Sequence, residues 1–315
     1  MHKNHSISAQ ESKTSTFEDF KESFLKLPRE SIRLDFLDQY LTQGSGIYLH
    51  TKTGVISSEL KFSQLDSMNY WSNRIFTSDD LEDYTGALPF ARARMYYVLR
   101  TLLDFVEKKK LRPKSLTDFA TGEGVFLDLL SREKLNLRIM ATEGSKDLCD
   151  KLQKKGYSVD NVGLGLGELP KFQTDLATVM WTLSCALKPY EILMEIRKNI
   201  SPGGYLLIAE SSRILVPFKK SLEDLFSKVH PADTHPYYFS KKSMCALLEI
   251  TGFKPVYVNR YFDSGVLLVI AKKEESIKLK TSIDCDSTEI VNQFLQTWGS
   301  LTLGLFKDLD KNYSD

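Results

Sequence analysis

The sequence predicts an α/β fold: a doubly wound, mostly parallel seven-stranded sheet finished by a terminal antiparallel hairpin, plus a mainly helical N-terminal region. Three observations predict it. After Pro113, short apolar runs alternate regularly with amphipathic stretches, the pattern of strands and helices in turn. The last two apolar runs, 254–261 and 265–271, are joined by the tight connection Asp263-Ser264-Gly265, too short for a parallel crossover. Upstream, Phe20, Phe24, Leu25, Ile32, Phe36, Leu37 and Tyr40 recur at helical spacing.

In chain order, residues 1–16 are polar and without periodicity and read as a flexible tail. The helical pattern then runs from 17 to about 43 and stops before Gly44, which suits a helix end. Residues 46–55 have short β character with a turn at Thr53-Gly54. The stretch 58–90 is rich in aromatics (Tyr70, Trp71, Phe76, Tyr84) and is broken by Gly86 and Pro89. Residues 91–108 read as a strong helix, with Met95, Val98, Leu99, Leu102, Leu103 and Val106 on one face. Strands are expected at 115–119, 137–142, 157–162, 176–181 and 205–209, and helices at 125–132, 145–155, 189–200 and 241–251. A polar stretch, 272–287, precedes a last amphipathic helix carrying Ile290, Val291, Phe294, Leu295 and Trp298. The organisation that follows is a tail (1–16), a cap region (17–108), a core domain (109–273), and a linker with its C-terminal helix (274–315).

Composition narrows the partners. With 315 residues, 42% of them hydrophobic, the chain can bury a sizeable core without disulfides or structural metal. Its 42 basic and 41 acidic residues leave a formal charge of +1, without the basic excess that phosphate neutralisation demands, so long nucleic acid is not an expected partner. Cys149, Cys185, Cys245 and Cys285 are scattered, with no histidine at ligand spacing, so no metal is expected and free thiols in a reducing cytoplasm are. No apolar stretch has the length of a secretory signal core or a membrane span.

The sharpest motif is Asp118-Phe119-Ala120-Thr121-Gly122-Glu123-Gly124, an apolar strand running into a small-residue turn that opens a helix. Glycine lets main-chain N–H groups approach a ligand with no Cβ in the way. A dinucleotide fingerprint would need a third glycine where Leu127 stands, which counts against NAD. Glu143 closes the next strand, about 20 residues beyond Gly122, the place from which nucleotide folds hold ribose hydroxyls. The alternative is a glycine turn with an unrelated surface glutamate.

The D-x-x-x-G-x-G loop resembles motif I of the class I (Rossmann-like) S-adenosyl-L-methionine-dependent methyltransferases. The segment Thr174–Leu183 is similar to their fourth strand, and Ile192–Ile208, with Ser201-Pro202-Gly203-Gly204, resembles their helix, L-x-P-G-G and strand. The likeness covers roughly residues 110–273. It implies a cofactor site made of Asp118 at the methionine end, the backbone of Ala120, Thr121 and Gly122, Gly124, Glu143 at the ribose, and Trp181. Relatives often carry an acid after the third strand, near the adenine. Here the region reads Asn161-Val162-Gly163-Leu164-Gly165, leaving backbone groups or Asp160 for that role.

For the acceptor, absences help. Trp181-Thr182-Leu183-Ser184 is not the Asn/Asp-Pro-Pro-Tyr/Phe box of exocyclic-amine methylation, and there is no Pro-Cys pair for attack on cytosine. The segment His235-Pro236-Tyr237-Tyr238-Phe239-Ser240 resembles one in methyltransferases of sugars, nucleotide-linked sugars and other small metabolites. His230, His235 and Tyr237 are therefore candidate bases or acceptor contacts. The bland alternative makes Ser240 a helix N-cap and Tyr238 and Phe239 core. The resulting expectation is a cytoplasmic enzyme acting on a small polar metabolite. Its alternatives are methylation of an aromatic or polyketide-like hydroxyl, with the N-terminal helices available to pair a homodimer, and a cofactor-binding protein without turnover.

Overall fold

The computed structural model describes residues 14–24, 30–41, 46–59, 62–75, 87–133, 135–210, 214–215, 222–226, 235–260, 266–277 and 280–312. In order, the elements are β1 (Thr14–Ser15), α1 (Phe17–Ser23), β2 (Ser31–Arg33), a 3-10 turn (Asp35–Tyr40), β3 (Ile47–His50), β4 (Ile56–Ser58), α2 (Gln64–Ile75) and α3 (Ala87–Lys108). The alternating core follows: β5 (Ser115–Phe119), α4 (Val125–Ser131), β6 (Arg138–Glu143), α5 (Lys146–Lys154), β7 (Val159–Asn161), β8 (Thr174–Met180), a 3-10 turn (Leu183–Cys185), α6 (Pro189–Asn199) and β9 (Ile200–Glu210). The chain ends with α7 (Leu222–Phe226), β10 (Tyr237–Tyr238), α8 (Lys241–Ile250), β11 (Phe253–Val258), β12 (Leu267–Lys273), β13 (Ile283–Asp284) and α9 (Thr288–Asn312).

The main sheet has seven strands in the order β11-β12-β9-β8-β5-β6-β7. From β9 to β7 the pairs are parallel; β12 runs antiparallel to β9, and β11 to β12. The expected sheet and closing hairpin are thus both present. The strand order reverses between β5 and β8, so their carboxyl ends flank a crevice, the usual ligand position in such sheets.

Why these strands are central is written in their side chains. Along β12, Leu267, Val269 and Ala271 enter one core cluster while Leu268 and Ile270 enter the other. A continuous apolar run buried on both faces is what a covered sheet requires. One cluster packs against α6 and α8 through Leu193, Ile196, Met244 and Leu247; the other packs against α3, α4 and α5 through Val98, Leu99, Leu127 and Leu152. Each such side chain contributes about 1.5–3 kcal/mol by leaving water.

Three expectations are corrected by the structure. The helix expected through 17–43 stops at Ser23, and β2 and a 3-10 turn follow. Leu34, Leu37, Ile47 and Leu49 instead pack in a third cluster with Tyr238, Phe226, Val291 and Leu295. That cluster underlies a second sheet, β10-β4-β3-β2, so the N-terminal region is less helical than its periodicity predicts. Second, Pro202-Gly203-Gly204 lies inside β9 rather than between helix and strand. The register against β8 jumps from Thr174↔Ile200 to Leu176↔Tyr205, so the extra residues bulge outward, Gly203 at φ +73°. Third, Thr14–Ser15, expected within the tail, pairs with Ile283–Asp284 from the expected linker; the rest of the tail lies outside the described residues.

Candidate active site

The turn after β5 is strained in a directed way. Ala120, Gly122 and Gly124 all have positive φ, at 54°, 59° and 76°. For Ala120 this costs of order 1–3 kcal/mol. Thr142 of the neighbouring strand holds the turn: its Oγ1 accepts the Ala120 N–H at 3.3 Å and its carbonyl accepts the Thr121 N–H at 3.0 Å. Gly124 caps α4, and a Cβ there would overlap Leu152 Cδ2 of α5.

Beneath the turn lies Asp118, buried and hydrogen-bonded through both oxygens. Thr121 Oγ1 donates to one carboxylate oxygen and Thr178 Oγ1 to the other, each at 2.6 Å. Burial raises its pKa to about 6, against the two hydroxyl bonds that favour the charge. Glu143, at the end of β6, accepts the Gly122 N–H at 2.8 Å and the Ser145 N–H at 2.9 Å, one on each oxygen. Burial moves its pKa upward too, opposed by those backbone donors. The Gly144 backbone is a further partner, and of the roughly four acceptor sites of a carboxylate one stays open to a ligand hydroxyl.

Trp181 follows β8 with φ +54°, its N–H held by the Ala209 carbonyl at 2.7 Å. The Arg94 guanidinium of α3 lies 4.9 Å from the indole centroid. Among the described residues the buried indole Nε1 has no hydrogen-bond partner. The seven expected cofactor residues therefore stand together on the ends of β5, β6 and β8 and the turns that follow. Arg94 was not foreseen, since one polar residue inside an amphipathic helix carries no distinguishing pattern. Thr178 did leave a signal, as a hydroxyl within the apolar run Leu176-Ala177-Thr178-Val179.

The opposite wall follows β8 and β9. Glu210 ends β9 fully buried and accepts the Leu183 N–H (2.7 Å), the Ser184 N–H (3.3 Å) and the Ser184 hydroxyl (2.7 Å). Burial lifts its pKa to about 7. The turn it fixes presents Cys185, whose Sγ is 3.3 Å from His235 Nδ1; burial pushes this thiol upward, keeping it protonated. Of the candidate bases, His235 is half-buried here, its carbonyl accepting from the Ser58 hydroxyl at 2.8 Å. Tyr237 is buried in the core cluster, its hydroxyl donating to the Phe24 carbonyl at 3.0 Å. His230 lies outside the described residues. Ser240 is an N-cap, in a capping box with Ser243, and Tyr238 and Phe239 are fully buried.

A family model described as a methyltransferase domain matches residues 90–258, just over half of the chain. The chain belongs to this methyltransferase family. The match takes in most of α3, the glycine turn, Glu143, Glu210 and His235 of the methyltransferase, and ends with β11. Among solved structures it is similar to PigF with S-adenosylhomocysteine, at 17% identity and a TM-score of 0.50, covering 68% of this chain and 63% of PigF, slightly under two thirds of its length. It is also similar to the N-methyltransferase NodS from Bradyrhizobium japonicum WM9 in complex with S-adenosyl-L-homocysteine, at 15% identity and a TM-score of 0.47, covering 66% of this chain and 99% of NodS. The [4+2]-cyclase SpnF gives 14% identity and a TM-score of 0.47 over 69% of this chain and 98% of SpnF. At these identities the PigF likeness speaks for the fold alone. No curated protein matches the methyltransferase sequence.

Proposed function

We propose that the chain transfers the methyl group of S-adenosyl-L-methionine to a hydroxyl of a small polar metabolite, with a sugar or nucleotide-linked sugar favoured, and does so in the cytoplasm. The observation that carries the cofactor half is Glu143 bonded to the Gly122 N–H, because it sets a ribose-binding carboxylate beside a turn in which Gly122 and Gly124 carry no Cβ. The residues fit that cofactor. Beyond its three backbone partners Glu143 keeps an acceptor site for a ribose hydroxyl. Trp181 offers a buried Nε1–H, and Arg94 beside it supplies a cation for a carboxylate at the methionine end.

Bound there, the cofactor supplies an electrophilic methyl group on a sulfonium, open to in-line displacement. The protein's share is positioning and proton removal. Asp118 braces Thr121 and Thr178, fixing the strained turn from below. Glu210 holds the Leu183–Cys185 turn, and Cys185 orients the imidazole of His235, which we read as the base that takes the acceptor's proton. Tyr237, with its hydroxyl spent on Phe24, is read as a wall rather than a base. A wall of Ser58, Cys185 and His235 suits a polar acceptor better than a greasy one, and the four free cysteines suit a reducing compartment.

The test is a panel of sugars, sugar nucleotides and phenols incubated with the purified protein and methyl-labelled cofactor. Label on a sugar or sugar nucleotide is the expected result. Label confined to phenols would contradict the acceptor class, and no transfer despite cofactor binding would contradict turnover of any panel member.

A further inference from the structure

We infer that Met68, carried by α2, is the wall against which the cofactor's adenine packs, an inference that rests on the cofactor reading above. Along the carboxyl edge the strands stand in the order β8, β5, β6, β7. The glycine turn follows β5 and Glu143 ends β6. A ligand with its amino-acid end at the turn and its ribose on Glu143 therefore carries its base toward the end of β7.

Two glycines face each other there. A Cβ built on Gly144 would stand 3.0 Å from the Gly163 Cα. The Met68 sulfur lies in the space these residues leave open: a Cβ on Gly144 would overlap it, and a Cβ on Gly163 would stand 2.7 Å from it. Leu166 flanks the same opening, its Cδ1 3.0 Å from the Gly163 Cβ position. The side chain that position 144 lacks is thus supplied by a helix from another part of the chain.

Of the polar groups nearby, one is engaged and one faces solvent. Asn161 Nδ2 donates to the carbonyls of Glu143 (3.0 Å) and Gly144 (3.1 Å), and Asp160 is exposed. What remains for a flat heteroaromatic base is an apolar, polarisable surface, and a thioether meets an aromatic ring favourably. The position of Met68 is set by the acceptor wall. Gln64 Oε1 accepts the Leu187 N–H at 2.8 Å, and Ser67 Oγ donates to the Cys185 carbonyl at 3.4 Å. One helix therefore joins the base wall to the turn that orients His235.

Calorimetry on the full chain tests this, with S-adenosylhomocysteine and with methylthioadenosine, which keeps the adenosine but lacks the amino-acid end. Met68→Ala is expected to weaken both ligands by the same factor, about tenfold, while Met68→Leu stays within about threefold of the wild type. Unchanged or tighter binding by Met68→Ala overturns the inference, tighter binding meaning that the side chain stands where the base must go. A loss confined to S-adenosylhomocysteine also overturns it, since the effect would sit at the amino-acid end. A measurement on the wild type stands apart from variant folding. Peroxide oxidation of Met68, followed by peptide mass spectrometry, is expected to slow several-fold with saturating S-adenosylhomocysteine; an unchanged rate overturns the contact. A wild type that binds neither ligand overturns the cofactor reading and the Met68 inference with it.

Discussion

The turn after β5 draws nearly all its partners from one continuous stretch, residues 118–145, with Thr178 and Lys155 the exceptions. The turn after β8 takes its partners from Gln64, Ser67, Glu210 and His235, spread over most of the chain. Both stand at the same edge of the sheet. The proposed cofactor half rests on backbone N–H groups and the Glu143 carboxylate, fixed by strand geometry, so it needs small residues at set spacing. The proposed acceptor half is made of side chains delivered by loops and helices, so its identity depends on how distant segments meet. A shared reaction with variable acceptors fits such a division, since the acceptor wall can change without disturbing the glycine turn.

The division can be broken most forcefully at Gly124. Gly124→Val puts a β-branched side chain at φ +76° and against Leu152; we expect a loss of about 3 kcal/mol of stability in urea denaturation together with cofactor affinity. A variant within about 1 kcal/mol of wild type would deny that this turn is rigid. The opposite half is probed by His235→Asn, which should lower kcat roughly 100-fold and leave the Kd for S-adenosylhomocysteine within about threefold. If the Kd rises in step with the loss of kcat, the two halves are not separable.

A pH dependence joins the two halves. Burial raises Asp118 from 3.8 to about 6 and Glu210 from 4.5 to about 7. Between these limits the unfolded chain has lost protons that the folded chain retains, so stability is fullest below about pH 4 from these groups and falls as pH rises toward 7. The double variant Asp118→Asn, Glu210→Gln should flatten that fall by roughly 2 kcal/mol. A steeper fall in the variant would show that the carboxylates are ionised in the native state. Smallest is Ser240→Ala, which removes the cap of α8 and the partner of Asp286. It should cost about 1 kcal/mol in thermal unfolding and leave kcat and Kd unchanged, and a fall in kcat would give Ser240 a place in the acceptor wall.

The same contrast governs what could be read from residues alone. Asp118, Gly122, Gly124 and Glu143 are legible because a strand, a turn and the next strand fix their mutual positions within one short stretch. The closing hairpin is legible because its connection is too short to cross the sheet. The N-terminal periodicity does not make one helix because Leu34 and Leu37 are buried with Ile47, Tyr238, Val291 and Leu295 while Ile32 stays exposed; Pro28 already bars a continuous helix. Arg94, Cys185 and Met68 left no local mark, as each acquires meaning only from a partner far away in sequence.

The most direct test of the cofactor site is titration of wild type and Glu143→Ala with S-adenosylhomocysteine and NAD by calorimetry. The wild type should bind S-adenosylhomocysteine with micromolar affinity and ignore NAD, and Glu143→Ala should weaken that binding about 100-fold, since a charge-assisted bond to the ribose is lost. Equal affinity in the variant, or a preference of the wild type for NAD, would contradict the placement of the cofactor on the Gly122–Glu143 pair.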